Sequence, residues 1–186
     1  MLSRMFGYRN IPGLGICSTS FLAICNESVA HRSATLLPEA YGPAFHLHEF
    51  LPVPNIFSAL LVHLFTRLGL FLLAIPPLRA LLKMLIPPGS SGPDISKANI
   101  ERQTFCALGN PASKEGKKVL ALFRWNGSLY YCSAAMGVEA AMTVLGTERT
   151  PAHQIGGGIL TPATLGMPFI ERVRNMGATL EVESRW

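Results

Sequence analysis

The sequence predicts an α+β fold: a small mixed or antiparallel sheet with packed helices, joined to an apolar helical hairpin, with no complete Rossmann domain. Three observations carry this reading. Phe105 to Leu108 and Val119 to Trp125 are strand-length apolar stretches, the second ending at Asn126-Gly127, a pair suited to a tight turn. Ser133 to Leu145, closed by Gly146, has the length and end signals of a helix. Residues 56–86 concentrate apolar side chains more densely than any other segment and are interrupted by Pro76-Pro77.

The chain has 186 residues, 49% of them hydrophobic and 15% charged, with a formal charge of +5. Charged residues are scarce against the roughly 25% of soluble domains, which excludes intrinsic disorder for most of the chain. The mean hydropathy of +0.32 points to a surface that faces a membrane or a partner. Residues 1–92 carry six Lys/Arg against three Asp/Glu, and residues 93–186 carry ten against eight. The sole basic run is Lys114 with Lys117-Lys118, too little for a phosphate-tracking stripe, so a nucleic-acid partner is not expected. Cys17, Cys25, Cys106 and Cys132 form no C-x-x-C pair and read as reduced, buried thiols.

Residues 1–20 read as an irregular start, loosely like a targeting sequence, with Arg4, Arg9 and several Ser/Thr but no acid. Gly13-Leu14-Gly15 there suggests a dinucleotide fingerprint, but Pro12 precedes it, Ser18 stands at the third glycine, and no apolar strand leads in. It reads as a loop. Residues 21–55 form the next segment: 21–37 reads as a strand or short helix, then comes a stretch broken by Pro38, Pro43, Pro52 and Pro54. His46 and His48 share a face on a strand, but no third metal ligand accompanies them.

Residues 56–88 form the hairpin. Ile56 to Ile75 is long enough to span a bilayer, yet His63 and Arg67 lie one turn apart within it, as do Arg79 and Lys83 in the second helix. A cationic stripe beside a Leu/Phe face suits a helix lying in a membrane interface, with burial under another domain and full spanning as the alternatives. The expected membrane-contacting residues are Leu64, Phe65, Leu68, Phe71, Leu72 and Leu82.

Residues 89–99 are a linker in composition, and residues 100–186 form a C-terminal α+β part. There Asn126-Gly127 is expected to turn the chain into a returning strand at Ser128 to Cys132, with Ser133 capping the next helix. That helix is apolar nearly all round and so is expected to be buried against the sheet. Gly156-Gly157-Gly158 precedes an expected Ile159-Leu160 strand. A helix then opens at Pro162 or Pro168 and closes at Gly177, before an edge strand at Ala178 to Glu183.

No nucleophile elbow, zinc-protease motif or Walker loop is present. Tyr130 and Tyr131, beside Ser133, are the side chains best suited to donate to a substrate carbonyl, against the simpler role of packed core tyrosines.

Several segments carry a family resemblance. Asn26, Val29, Arg32 and Ser33 with Leu36-Leu37 and Tyr41-Gly42 resemble the N-T-R-V-V-R-R-S-N-A-L…Y-G stretch of saccharopine dehydrogenase-like oxidoreductases, a group that includes trans-acting enoyl reductases. Pro76 to Leu82 and the linker from Pro87 to Pro93 resemble its middle region. Tyr130 to Ser133, Glu139 to Leu145, Gly157 to Ala163 with Leu165-Gly166, and Ile170 to Val173 with Gly177 resemble its closing part. Leu129, Glu27 and Ser28 depart from the pattern. The resemblance spans residues 21–186 and implies the substrate-binding, C-terminal half of an NAD(P)-dependent oxidoreductase acting on lipid or polyketide-like acyl groups. It implies that residues 21–55 are the first part of the substrate domain. It implies substrate contacts at Asn26, Arg32, Tyr130 and Ser133. It also implies that NAD(P) is held by a nucleotide-binding domain in trans, with no cofactor bound by this chain alone. A homodimer and a cytoplasmic, peripheral-membrane, mitochondrial or lipid-droplet location are compatible with it. The alternative is a non-enzymatic protein docking on a membrane through residues 56–86.

Overall fold

The computed structural model describes residues 7–85, 100–109 and 118–185, with Leu82, Leu85, Ser184 and Arg185 described by backbone alone. The fold is α+β, in two units that divide at Ser91/Gly92. The linker expected over 89–99 lies outside the described residues.

In the first unit, β1 (Tyr8–Ile11) and β2 (Gly15–Thr19) form an antiparallel hairpin, and β3 (Phe50–Pro52) pairs with the other edge of β2. The Gly-x-Gly is therefore the hairpin tip. Leu14 N–H donates to the Ile11 carbonyl, and Gly13 and Gly15 hold φ of +92° and +81°, where a side chain would be strained. An irregular stretch expected over 1–20 thus contains two strands. Their partner β3 lies more than thirty positions downstream, outside the reach of local pattern.

Helix α1 (Ala23–Leu36) occupies the segment that read as strand or helix, and one-turn α2 (Pro38–Tyr41) follows. Helix α3 (Ile56–Ala74) starts at Asn55, whose side chain accepts from the Ser58 N–H at 2.8 Å. It stops at Ile75, which is extended because the following proline disfavours helical backbone there. Pro76 then opens α4 (Pro76–Leu85). Along one side α3 packs on β2 and β1. Ser18 Oγ donates to the Ala59 carbonyl at 2.8 Å, and Ala59 is 0% exposed.

In the second unit, β4 (Arg102–Gly109), β5 (Lys118–Asn126) and β6 (Thr179–Arg185) form an antiparallel sheet in that order, with β6 an edge strand as its alternation suggested. Helix α5 (Leu129–Leu145) follows β5 directly; then come α6 (Pro151–Ile155), a 3-10 turn (Pro162–Leu165) and α7 (Gly166–Asn175). The core is Ala152, Leu165, Phe169, Val173 and Ala178, covered by Phe123, Trp125, Met136, Ala140 and Leu180 among others. Gly177, at φ +102°, ends α7 as its sequence position suggested.

Three expectations are corrected. Residues 128–132 are the first turn of α5 and not a strand. Ser128 is the cap, accepting from the Tyr131 N–H, and Asn126 keeps a negative φ, so the two-residue turn never forms. Ser133 sits inside the helix and donates to the Leu129 carbonyl. Ile159-Leu160 is not a strand: the three glycines all hold positive φ, and Gly156 caps α6 in the left-handed region. Finally, α5 is mostly exposed; Cys132 and Thr143 are its buried residues, while Val138, Met142, Val144 and Leu145 face outward.

Candidate functional site

The first unit buries few side chains: Cys17, Ser18, Ser33 and Ala59 among the described residues. Its apolar side chains lie elsewhere. Helix α3 sets Ala59, His63 and Thr66 towards the sheet and turns Phe57, Leu60, Leu61, Leu64, Phe65, Leu68 and Phe71 outward. Leu64 is 59% exposed, Phe65 65% and Phe71 64%. This reverses a soluble helix, whose apolar stripe faces the core. Of the expected contact residues, Leu64, Phe65, Leu68 and Phe71 are on this outward face. Leu72 is half-buried, a correction: by rotation it lies within the arc, but it sits in the last turn of α3, next to the junction where α4 follows and packs on α3. The Leu82 side chain lies outside the described residues. By length and composition α3 is also able to cross a membrane. Its packing on β2 and β1 covers Ala59, while Leu70 and Leu73, further along on the same side, are exposed like the outward arc.

Where the polar side of α3 meets the sheet and α1, a cleft of about 380 Å³ opens, lined by Arg9, Thr19, Glu27, His48, Glu49, Phe50, His63 and Arg67 among others. Its carboxylates are held from the α1 side. Glu49 accepts from the Ser20 hydroxyl and, at 2.6 Å, from Asn26 Nδ2. Glu27 accepts from the Glu49 N–H at 2.8 Å and lies 3.6 Å from His48 Nδ1. The arginines come from β1 and α3. The Arg9 guanidinium stacks over Phe50, 5.0 Å from the ring centre. His63 Nδ1 lies 2.9 Å from Thr19 Oγ1. Burial, and then the neighbouring Arg67 charge, hold the His63 pKa below the ordinary imidazole value.

The four expected substrate-contacting residues fall in both units. Asn26 borders the cleft through Glu49, whereas exposed Arg32 is about 120° around α1 from it and does not line the cleft. In the second unit, Tyr130 (68% exposed) and Ser133 lie one turn apart on α5, and the Ser133 hydroxyl is engaged with its own helix. Tyr130 is therefore an accessible phenol rather than a core tyrosine. Sequence reasoning did not bring Arg9, Glu27 and Glu49 together, because they share a cleft only through long-range packing.

Cys17 and Cys132 are buried, and burial raises their thiol pKa. Cys25 and Cys106 are exposed, which corrects the expectation of four buried thiols; their segments present those positions to solvent. Among the described residues no group of three or more His, Cys, Asp or Glu is placed to hold a metal. The chain matches no family model, no curated protein and no solved structure.

Proposed function

We propose that this chain is a peripheral-membrane, substrate-side part of a saccharopine dehydrogenase-like oxidoreductase, seated on a lipid surface by α3. The observation that carries the membrane seat is the reversed amphipathicity of α3, whose Phe and Leu side chains face outward while Ala59, His63 and Thr66 face the sheet. Seven outward Phe and Leu residues, each worth about 1 kcal/mol or more on leaving water, supply several kcal/mol for an interfacial seat. Hydride chemistry on a lipid-like acyl substrate would come from a nicotinamide bound by a nucleotide-binding domain outside these residues. In that reading Asn26, Arg32, Tyr130 and Ser133 are each candidates to contact the substrate. The surface is a bilayer or a lipid-droplet monolayer.

Two measurements test this. The chain should float with phosphatidylcholine liposomes; recovery in the soluble fraction would overturn the membrane seat and assign the outward face of α3 to a protein partner. By calorimetry these residues alone should take up no NADPH. Equimolar uptake would sink the reading that the nucleotide site lies elsewhere.

A further inference from the structure

The cleft beside α3 holds two guanidinium groups, Arg9 and Arg67, and two carboxylates, Glu27 and Glu49. No arginine in it pairs with either carboxylate among the described residues. Ion-paired charges would make such a cleft a structural network. Here the arginines pair with neither carboxylate, and the ion-pair neighbour of Glu27 is His48 at 3.6 Å. Grouped by origin, the carboxylates are held from the α1 side and the guanidiniums from β1 and α3, which makes the cleft bipolar. The four formal charges sum to zero, so neither a simple anion nor a simple cation matches the whole cleft.

Its location narrows the ligand. On α3, Arg67 lies roughly 60° around the helix from Leu64, at the border between the outward apolar arc and the sheet-facing side. An arginine at that border, with its stem on apolar surface and its head beside it, stands at head-group depth when the arc meets lipid. Phosphate is the group a planar guanidinium fork binds best. His63 also lines the cleft, and in the tautomer where Thr19 donates to Nδ1 its Nε2–H is a further neutral donor.

We infer that this cleft takes the zwitterionic head group of a phospholipid, with the phosphate on Arg9 and Arg67 and the ammonium towards Glu27 and Glu49. An ethanolamine head group fits the carboxylate side well, because its ammonium has three donors. Glu27 accepts through Oε1 from a backbone N–H and Glu49 through both oxygens, so lone pairs remain on each. The inference rests on the membrane seat proposed for α3 and adds a head-group specificity to it.

The test compares vesicles of phosphatidylcholine and phosphatidylethanolamine with vesicles of an uncharged galactolipid, by flotation of the full chain. Wild type should bind both through the apolar arc, and the zwitterionic surface at least about tenfold more tightly, the worth of one charge-assisted hydrogen bond. The R9Q/R67Q and E27Q/E49Q variants should each lose that preference while binding galactolipid as wild type does. R9K/R67K should recover part of it, which separates charge from folding. Equal binding to the two surfaces, or a preference that survives both glutamine pairs, would overturn the inference. If neither surface binds, the seat of α3 fails and a soluble probe decides the cleft. Glycerophosphoethanolamine should then shift the NMR resonances of Thr19, Phe50 and His63 in wild type and not in R9Q/R67Q; no shift overturns it. Inorganic phosphate acting as strongly as that probe would also overturn it, by assigning the cleft to free phosphate.

Discussion

Thr19 on β2 and His63 on α3 meet at 2.9 Å, fastening the polar side of a Leu/Phe-faced helix to the middle strand of its sheet. The contact lets one helix carry opposite chemistry on its two sides. It also places a titratable ring where protonation is disfavoured, first by burial and then by Arg67.

The His63 ring gives the first unit a pH dependence. Because its folded-state pKa is lowered, the unfolded chain binds the proton more readily. Its contribution to stability is therefore complete above the ordinary imidazole value of about 6.5 and is lost as pH falls from there towards the lowered folded value. Thermal unfolding of wild type should weaken over that window, and H63Q should weaken less. In R67Q the His63 resonance should titrate higher than in wild type, yet still below the ordinary value, because burial is the larger cause.

Leu64→Glu and Phe71→Glu should each lower liposome binding by at least about tenfold, since full burial of such a side chain is worth about 1.5–3 kcal/mol. Both positions are exposed, so circular dichroism should match wild type. Unchanged flotation would assign the outward arc to something other than lipid.

Ser128 and Ser133 should separate cleanly. Ser128→Ala removes the cap of α5 and should cost about 1 kcal/mol in denaturant unfolding. Ser133→Ala removes only an exposed bond to the same helix and should change stability by less than about 0.5 kcal/mol. If Ser133 contacts substrate as proposed, its effect appears in substrate affinity instead.

Phe169→Ala empties a site in the core of the second unit and should destabilise it by about 3–5 kcal/mol. Amide exchange along β5 reads this directly, because Phe123 and Trp125 of that strand pack on the cluster. Val138→Ala, on the exposed face of α5, should leave the same amides protected as in wild type.

Much of the backbone was legible from local rules. Pro76 and Gly177 each mark an end or start of a helix, the strands β4 and β5 follow from strand-length apolar stretches, and the edge strand β6 follows from alternation. The errors have two causes, one local and one long-range. Asn126-Gly127 has the chemistry of a tight turn, but Ser128 competes as a helix cap followed by a long apolar run, and the helix prevails. The Gly-x-Gly reads as a loop and is the tip of a hairpin, yet its flanking strands were missed because their third partner comes from residues 50–52.

Local sequence determined on its own that apolar side-chain surface concentrates in residues 56–86. Only tertiary structure decided which way that surface points. Helix periodicity names the faces of α3, but the buried face is set by what packs on it: here a small sheet meets Ala59 and His63 and leaves Leu64 and Phe71 outside. The same holds for Arg9, Glu27, Glu49 and Arg67. Capping, turn chemistry and proline sterics act over a few residues, whereas a cleft is made by segments tens of residues apart.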